Sequence, residues 1–501
     1  MLKKPENQET EAFPIETFRC FIFGTNLLES DDHVKPVACL LKQRLSLIPI
    51  SMGSILVLTT IASTLGGLVF GYELGIISGA LSQLQTRFSL GCVQQESLVS
   101  ALLIGSLSAC LIGGWMIDRH GRRTSILLGN LLILGGSVIL TTSTTLFALV
   151  IGRAVIGFAM SISSMSCCIF VSELVNPERR GLMVSLYEVG ITFGILLAYG
   201  VNFILANVSG GWRYMFGFAI ILCLMQLGSI WFLPQQDFVN SHLEIIEESN
   251  VKYSILDLFR TKNNMHRRTT IGIGLVLSQQ FTGQPNVLFY ASTILFSVGF
   301  QSRASAVLAS VGLGIVKVVA TLLAMVCSDR VGRRSLLIGG CTVLAVGLMV
   351  TGFFCGESVI DASKSCRSVE PHSNLSSLAE DQNSVNKMTW LVLSEIFPKD
   401  VRGRAYSFIN CFNVGANLIV TFSFLSIIDV VGLAGIFLVY GVVGLFAAVF
   451  IYHMLPETKG KSLERIDREL AQTRGDIPLQ VTTEFTRPPD PKEAFSQRIA
   501  V

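Results

Sequence analysis

The chain has 501 residues, of which 50% are hydrophobic and only 15% are charged. Soluble globular proteins carry about a quarter of their residues as charged side chains, so this composition argues against a soluble domain. The formal net charge of +3 is small, and Lys and Arg lie in short loops rather than in one basic tract. Nucleic acid is therefore not expected as a partner, and a lipid bilayer is expected as the solvent.

Long apolar segments recur along the chain. A helix rises 1.5 Å per residue, so about 20 apolar residues cross a hydrocarbon core about 30 Å thick. Backbone polar groups in that core must be satisfied within the segment, which predicts a helix for each one. Eleven spans are predicted, at residues 52–84, 97–117, 124–142, 146–171, 182–206, 213–233, 269–297, 304–328, 335–356, 405–428 and 433–455.

Neither the chain ends nor the cysteines predict export or metal binding. Residues 1–50 contain acids and no uninterrupted apolar core, so they predict a cytoplasmic extension rather than a signal peptide. Residues 457–501 predict a cytoplasmic tail. The twelve cysteines lie mostly within apolar spans, without a CxxC pair or a Cys/His metal spacing. They are interpreted as small core residues, and neither a metal nor a cofactor is expected.

A short charged motif occurs twice. Residues 118–123 read Asp-Arg-His-Gly-Arg-Arg and residues 329–334 read Asp-Arg-Val-Gly-Arg-Arg, 211 positions apart and each between two apolar spans. A second pair, Ser172-Glu173 and Ser394-Glu395, is 222 positions apart. These repeats indicate a duplicated half. The predicted parts are an N-terminal bundle, a polar cytoplasmic loop and a C-terminal bundle, at residues 51–233, 234–268 and 269–456.

Basic residues are unevenly divided between the two sets of loops. One set holds sixteen Lys and Arg and the other about five. Because an excess of Lys and Arg marks cytoplasmic loops, the N-terminus is predicted to be cytoplasmic and the loop 357–388 to face outside or into a lumen. Asn374 in that loop begins an Asn-X-Ser sequon and is predicted to be glycosylated. The sixteen basic residues lie in the loops 118–123, 173–181, 234–268, 329–334 and 399–404.

Several motifs occur together and in order between about residues 51 and 465. They are the two Asp-to-Arg repeats, Gly152-Arg153, Gln279-Gln280, Trp390 and Pro456-Glu457-Thr458-Lys459-Gly460. This set resembles the sugar-porter branch of the major facilitator superfamily, and in particular the facilitative glucose-transporter family. The chain further resembles the third class of the glucose-transporter family at Gly71-Tyr72-Glu73-Leu74, at Thr282-Gly283-Gln284-Pro285-Asn286 and at Lys317.

The resemblance implies an all-α polytopic membrane protein with the major facilitator superfamily fold. In that fold two pseudo-symmetric six-helix bundles enclose a central sugar site that opens alternately to each side. Twelve helices are expected, and the tenth is truncated here: the apolar stretch 388–398 covers about half of a bilayer and contains Glu395. Residues 357–398 then form either a strained re-entrant passage or part of a product that folds poorly and transports little.

The resemblance also implies which side chains contact a sugar. A hexose is neutral and covered with hydroxyl groups, so its site needs amides for hydrogen bonds and an aromatic ring for the sugar face. Ordinary hydrogen bonding between helices is the alternative for the amides, and anchoring at the membrane interface is the alternative for the tryptophan. Asn286 is one position away from the usual family asparagine, and Val414 replaces a second family tryptophan. The implied contacts are Gln279, Gln280, Asn286, Glu188, Trp390, Asn413 and Asn417.

Ionisable residues inside the spans are costly in hydrocarbon and predict partners or a wet cavity. Glu73 occupies the position at which proton-coupled relatives carry an acid, and Arg153 matches its usual neighbour. The resemblance thus implies a pair that alternates between a salt bridge and a protonated acid, so that protons move with the sugar. A static structural ion pair is the alternative.

Charged residues also form two repeated clusters on the cytoplasmic side. The resemblance implies that they bridge helix ends while the inner side is closed and separate when it opens. The alternative is that the basic residues only set the orientation of the chain. The clusters comprise Asp118, Arg122, Arg123, Glu173 and Arg180, and Asp329, Arg333, Arg334, Glu395 and Arg402.

The function implied is transport of a hexose such as glucose or galactose, or of dehydroascorbate, either passively or coupled to protons. An enzyme is not expected, since no nucleophile with a base, metal cluster or phosphate loop occurs in the sequence, and neither is a channel, since rings of charge are absent from it. The expected partners are the sugar, the bilayer and, for a coupled carrier, protons, with a monomer as the working unit. The membrane is either the plasma membrane or an internal membrane such as the endoplasmic reticulum or Golgi. A non-transporting sensor or poorly functional splice product remains the alternative.

Overall fold

A computed structural model describes residues 52–174, 177–231, 259, 264–298, 303–358, 389, 392, 396–397 and 402–457. Some of the sequence predictions fall outside this part of the chain. They concern the extension 1–50, most of the loop 234–268, the loop 357–388 with Asn374, most of the truncated tenth span with Trp390, and the tail beyond Glu457.

The described residues are almost entirely helical. In chain order the helices are α1 Met52–Phe88, α2 Cys92–His120, α3 Arg122–Thr142, α4 Leu146–Leu174, α5 Pro177–Leu205, α6 Gly211–Trp231, α7 Met265–Phe281, α8 Gln284–Phe289, α9 Ala291–Val298, α10 Arg303–Val331, α11 Arg333–Ser358, α12 Arg402–Phe422 and α13 Phe424–Met454. Ten of the described helices, α1 to α6 and α10 to α13, are long and apolar enough to cross a membrane.

One predicted span, at residues 269–297, is not a single continuous helix. The segment 269–297 is divided into α7, α8 and α9, with breaks at Thr282-Gly283 and at Tyr290. Gly283 adopts φ +78°, a left-handed conformation that side chains rarely adopt, and Pro285 lies in the first turn of α8. The sequence prediction failed because apolar content does not register a change in backbone direction.

The last two predicted spans are also divided differently. The break between α12 and α13 is at Ser423 rather than near residue 430, because α13 begins at Phe424 and continues through a kink at Gly432, where φ is 79°. The kink gives the part of α13 before Gly432 its own direction.

Glycines allow α1 and α5 to pack backbone against backbone. A Cβ added at Gly67 would lie 2.3 Å from the Tyr187 carbonyl oxygen, and one added at Gly71 would lie 1.9 Å from that of Ile191. On the facing helix, a Cβ at Gly194 would lie 2.2 Å from the Leu68 carbonyl oxygen. Small residues spaced four apart permit such close approach of helices in a membrane, where van der Waals contact drives association. Helices α1 and α5 therefore form one tightly joined pair.

Two further contacts place the first six helices against the last four. Helix α2 packs along α12, and α5 packs along α10. At the second contact a Cβ on Gly314 would lie 3.0 Å from Leu196 Cδ1, and Tyr199 packs with Ala291 and its neighbours. These two contacts join the first six helices to the later ones, and some of the polar side chains described below lie beside them.

Candidate substrate-binding site and gates

The break between α7 and α8 lies against α13. A Cβ on Gly283 would lie 2.2 Å from the ring of Tyr440, so glycine is required there by space as well as by φ. The Tyr440 hydroxyl accepts a hydrogen bond of 2.8 Å from the Asn286 side-chain nitrogen, which also lies 3.3 Å from the Val420 carbonyl oxygen. Discontinuous membrane helices often form substrate sites, because their ends present polar groups at membrane depth.

A chain of amides connects α7 to α12 and then to α2. The Gln280 side-chain nitrogen donates to the Asn413 side-chain oxygen. The Asn413 nitrogen donates to Asn410 Oδ1 at 3.3 Å, and the Asn410 nitrogen lies 3.2 Å from Cys110 Sγ. Asn417, one turn after Asn413, accepts from the Thr421 hydroxyl at 3.0 Å. Of the predicted amides, the structure thus brings Gln280 of α7 and Asn413 of α12 into contact.

Three buried amide oxygens in this region have no hydrogen-bond partner among the described residues. They are Gln279 Oε1, Gln280 Oε1 and Asn286 Oδ1, and their side chains belong to residues that are only 5%, 3% and 1% exposed. An unpaired buried acceptor costs about 1–3 kcal/mol relative to a paired one. The cluster is therefore an array of acceptors poised for donors such as hydroxyl groups.

Glu188 lies on α5 and is partly buried. It interacts electrostatically with Lys317, which lies on α10 across the contact between the two groups of helices. Both residues were predicted from the sequence, as ionisable side chains inside spans, to face a partner or a wet cavity, but they were not predicted to face each other. Their proximity was not predicted, because nothing in either span indicates which helix faces it.

Glu73 and Arg153 form a fully buried ion pair. Arg153 Nη1 lies 3.4 Å from Glu73 Oε2 and 3.2 Å from the Glu73 carbonyl oxygen, and the two side chains are 0% and 1% exposed. The other carboxylate oxygen, Glu73 Oε1, and two guanidinium nitrogens of Arg153 have no partner among the described residues. The pair predicted from the sequence is thus in contact, although its hydrogen bonding is incomplete.

A closed contact at the end predicted to face outside was missed by the sequence analysis. Glu96 at the start of α2 is 1% exposed and accepts hydrogen bonds from the Ser426 backbone nitrogen at 2.8 Å and from the Ser426 hydroxyl at 2.9 Å. Ser426 lies in the first turn of α13, where backbone N–H groups lack partners and the helix dipole favours an anion. We name the contact between Glu96 and Ser426 the outer clasp.

Two more contacts lie beside the outer clasp. The backbone nitrogen of Ser292, at the start of α9, donates to the Ser78 hydroxyl of α1 at 3.0 Å, and the Ser292 hydroxyl donates to the Ser78 carbonyl oxygen. The rings of Tyr290 and Phe424 are stacked with centroids 5.2 Å apart. The outer clasp and the Ser78–Ser292 contact join the first six helices to α13 and α9, whereas the Tyr290–Phe424 stack joins α13 to the residue that precedes α9.

The predicted cytoplasmic clusters are described only in part. Among their members the structure describes the side chains of Arg122, Arg123, Arg333 and Arg334, while those of Asp118, Glu173, Arg180, Asp329, Glu395 and Arg402 lie outside the described part. Arg123 donates to the Trp231 carbonyl oxygen at 3.1 Å, and Arg334 donates to that of Tyr452 at 2.6 Å.

The repeated motif has a repeated conformation. Gly121 and Gly332 both adopt positive φ, 82° and 106°, and each separates two helices. The backbone nitrogens of Arg333 and Arg334 donate to the Glu457 carboxylate at 3.1 and 3.2 Å, which caps the start of α11. Nearby, the fully buried Arg268 donates to the Ile396 carbonyl oxygen at 2.8 Å.

Comparisons with known proteins identify the family of the chain and agree with its fold. The family model described as "Sugar (and other) transporter" matches residues 58–238 and 235–470. The chain belongs to this family. It is 67% identical over 480 residues to facilitated glucose transporter member 10 of Danio rerio, covering 84% of this chain and 94% of the relative. It is 42% identical to member 10 of Homo sapiens, covering 84% of this chain and 94% of the relative. It is 36% identical to member 12 of Homo sapiens, covering 83% of this chain and 85% of the relative.

Solved structures of sugar transporters share the fold. A D-xylose–proton symporter superposes with a TM-score of 0.64 at 26% identity, covering 82% of this chain and 100% of that one. The symporter bound to 6-bromo-6-deoxy-D-glucose gives a TM-score of 0.66 at 26% identity, covering 83% and 99%. The predicted family and the major facilitator superfamily fold are confirmed, and this sugar transporter is an integral, multi-pass membrane protein.

Proposed function

We propose that this sugar transporter carries a hexose such as glucose or galactose, or dehydroascorbate, across its membrane by alternating access. The observation that carries the proposal is the set of three unpaired amide oxygens on Gln279, Gln280 and Asn286. A hexose presents several hydroxyl donors, and each one that reaches an acceptor removes the cost of leaving it unpaired. Asn413, Asn417 and Glu188 extend the proposed contacts, and Trp390 is the proposed aromatic plate.

The proposed movement separates one end of the helix interfaces while the other end stays closed. The outer clasp and the Ser78–Ser292 contact support a closed outer end, since both join the first six helices to later ones. The ten charged residues of the cytoplasmic clusters are proposed to act at the opposite end. This two-state arrangement needs the parts proposed from the sequence: bundles at 51–233 and 269–456, a linking loop at 234–268, and cytoplasmic ends at 1–50 and 457–501.

Proton coupling through Glu73 is a second proposal, supported by a specific observation. The Glu73–Arg153 pair is fully buried but incompletely hydrogen-bonded, so protonation of Glu73 removes a single contact of 3.4 Å. A buried charge left without its partner is costly, which would favour a rearrangement around Arg153. If the Glu73–Arg153 pair is a static ion pair that does not exchange protons, we expect transport to be passive.

Three further parts of the proposal come from the sequence. Asn374 is the proposed glycosylation site, the working unit is proposed to be a monomer, and the membrane is either the plasma membrane or an internal one. The competing function, a sensor or a splice product that transports little, is supported by the short apolar stretch between residues 356 and 405.

The test is uptake into liposomes that contain the purified 501-residue chain. Labelled glucose, galactose and dehydroascorbate are compared, with Gln280→Leu as the site variant and Ser97→Ala, a change at a partly exposed position, as the matched control. The proposal expects saturable uptake that the control retains and Gln280→Leu loses. Binding of a labelled sugar without flux would instead identify the sensor, and neither binding nor flux would identify a nonfunctional product.

A further inference from the structure

Two free thiols meet where the two groups of helices touch. Cys110 lies on α2 and is 3% exposed, whereas Cys411 lies on α12 and is partly exposed; both are unbridged. The Cys411 thiol and the Ser161 hydroxyl lie close enough to Cys110 to interact with its thiol electrostatically. The Asn410 side-chain nitrogen lies 3.2 Å from Cys110 Sγ. Two thiols in contact are a dithiol, which has chemistry that a single buried cysteine lacks.

The surrounding packing shows that this contact belongs to the interface. A Cβ added at Gly114 of α2 would lie 3.7 Å from Ser407 Oγ of α12, and that hydroxyl lies 4.0 Å from Met165 Sδ. The amide chain from Gln280 through Asn413 and Asn410 ends at Cys110. The dithiol is therefore continuous with the proposed sugar site and lies toward the end opposite the outer clasp.

We propose that Cys110 and Cys411 are an oxidation site whose reversible disulfide joins the two halves of the transporter and prevents its inner side from opening. The oxidant is a hydroperoxide. One thiol is oxidised by hydrogen peroxide to a sulfenic acid with release of water. The second thiol displaces hydroxide from that sulfur, which forms the S–S bond and, with the thiol proton, a second water. A dithiol reductant reverses the reaction by thiol–disulfide exchange.

The position of the bond determines which movement it blocks. Cys110 lies ten residues before the end of α2 at His120, about 15 Å along the helix from that end. A disulfide holds its two Cα atoms within roughly 4.4–6.8 Å. Opening of the inner side requires α2 and α12 to separate near this point, whereas separation at the outer clasp does not. The oxidised carrier is thus confined to states closed on the inner side.

The first experiment maps the bond without depending on transport. A protease site is inserted between residues 240 and 250 of the full chain, and Cys92 is changed to Ser because it is itself disulfide-bonded. The purified protein is treated with hydrogen peroxide, cleaved and run on a non-reducing gel, with Cys110→Ser, Cys411→Ser and Cys411→Ala as controls. We expect the two fragments to stay joined in at least half of the chains, to separate after dithiothreitol, and to separate in all three controls.

Peptide mapping then identifies the linked cysteines. A linked peptide containing Cys110 and Cys411 supports the proposal. Fragments that separate while both thiols remain alkylatable, or that are joined through another pair, overturn it. Two substitutions at Cys411 are used so that a folding defect of one, visible by size-exclusion chromatography, does not obscure the result.

The second experiment measures the consequence. Peroxide should lower sugar flux by at least fivefold in the chain that has both thiols and by less than twofold in the Cys411 variants, with recovery after dithiothreitol. Mapped linkage with unchanged flux would overturn the proposed block while leaving the proposed transport function intact. Absence of flux before oxidation would instead contradict the transport function, and the mapping would still decide whether the thiols pair.

Discussion

The Gln280 side chain on α7 donates a hydrogen bond to the Asn413 side chain on α12, residues that are 133 positions apart. The bond uses one of the two side-chain N–H donors of Gln280 and leaves its side-chain oxygen buried without a described partner. An amide that is held by its nitrogen is fixed in orientation, so its oxygen is presented in a defined direction. Asn413 thus acts as the positioning partner of Gln280.

The Gln280–Asn413 pair should show coupled effects on sugar affinity. We expect Gln280→Ala and Asn413→Ala each to raise KM about tenfold, which corresponds to about 1.4 kcal/mol, with little effect on protein yield. The double variant should cost less than the sum, because either change alone already breaks the bond. Uptake kinetics measure this, with Thr342→Ala, at an exposed position on α11, as control. Strictly additive effects would contradict the positioning role.

Glu73→Gln should separate proton coupling from sugar binding. Glutamine keeps the shape of the side chain but cannot take up and release a proton. In a coupled carrier, we expect uptake driven by an inward proton gradient to fall at least tenfold, while exchange of labelled for unlabelled sugar continues. Asp429→Asn, which removes an exposed carboxylate, is the control. If wild-type uptake does not respond to the gradient, the pair is structural and the carrier is passive.

Loss of the outer clasp should favour states that are open to the outside. Hydrogen bonds to a charged group contribute about 1.5–3 kcal/mol, so Glu96→Ala should raise the outward-open population by roughly tenfold or more. Spin labels at Val93 and Val430, which are 62% and 84% exposed, would report a longer distance between α2 and α13. Ser97→Ala is the control on the same helix. An unchanged distance distribution would show that the clasp does not hold this end.

Gly71→Ala should destabilise the protein through the contact between α1 and α5. The added Cβ would lie 1.9 Å from the Ile191 carbonyl oxygen, and overpacking of this kind costs about 1–3 kcal/mol. We expect a lower Tm in detergent and a lower yield. Gly200→Ala provides the matched comparison, because a Cβ there meets nothing within 4 Å and a helical alanine is favoured over glycine. Equal Tm values for the two variants would contradict the close packing.

Much of the helical framework is predictable from the sequence, because an apolar run of bilayer length directly encodes a crossing helix. The break at Gly283 is not, although the Gly-Gln-Pro order that follows Thr282 carries the signal for it. The outer clasp joins residues 330 positions apart. Apolar periodicity reports which face of a helix is buried but not which helix covers it. In addition, the predicted second span began at residue 97, whereas α2 begins at Cys92 and includes Glu96.

The candidate site was likewise predictable from the sequence only in part. The amides on α7 and α12 were identifiable by their residue type, since an amide within an apolar span needs a partner. The pairing of Cys110 with Cys411 was not, because both were interpreted as small core residues. Cysteine is as compatible with a dry core as with a reactive pair, and only the meeting of α2 with α12 distinguishes the two.

The glycine contact between α1 and α5 has a mechanical consequence for two acids. Gly71 lies against the Ile191 backbone, with Glu73 two residues beyond it on one helix and Glu188 three residues before Ile191 on the other. Helices that are packed backbone to backbone do not slide freely past each other, so both carboxylates belong to one rigid helix pair. We therefore expect Glu73 and Glu188 to move together whenever the joined helices move.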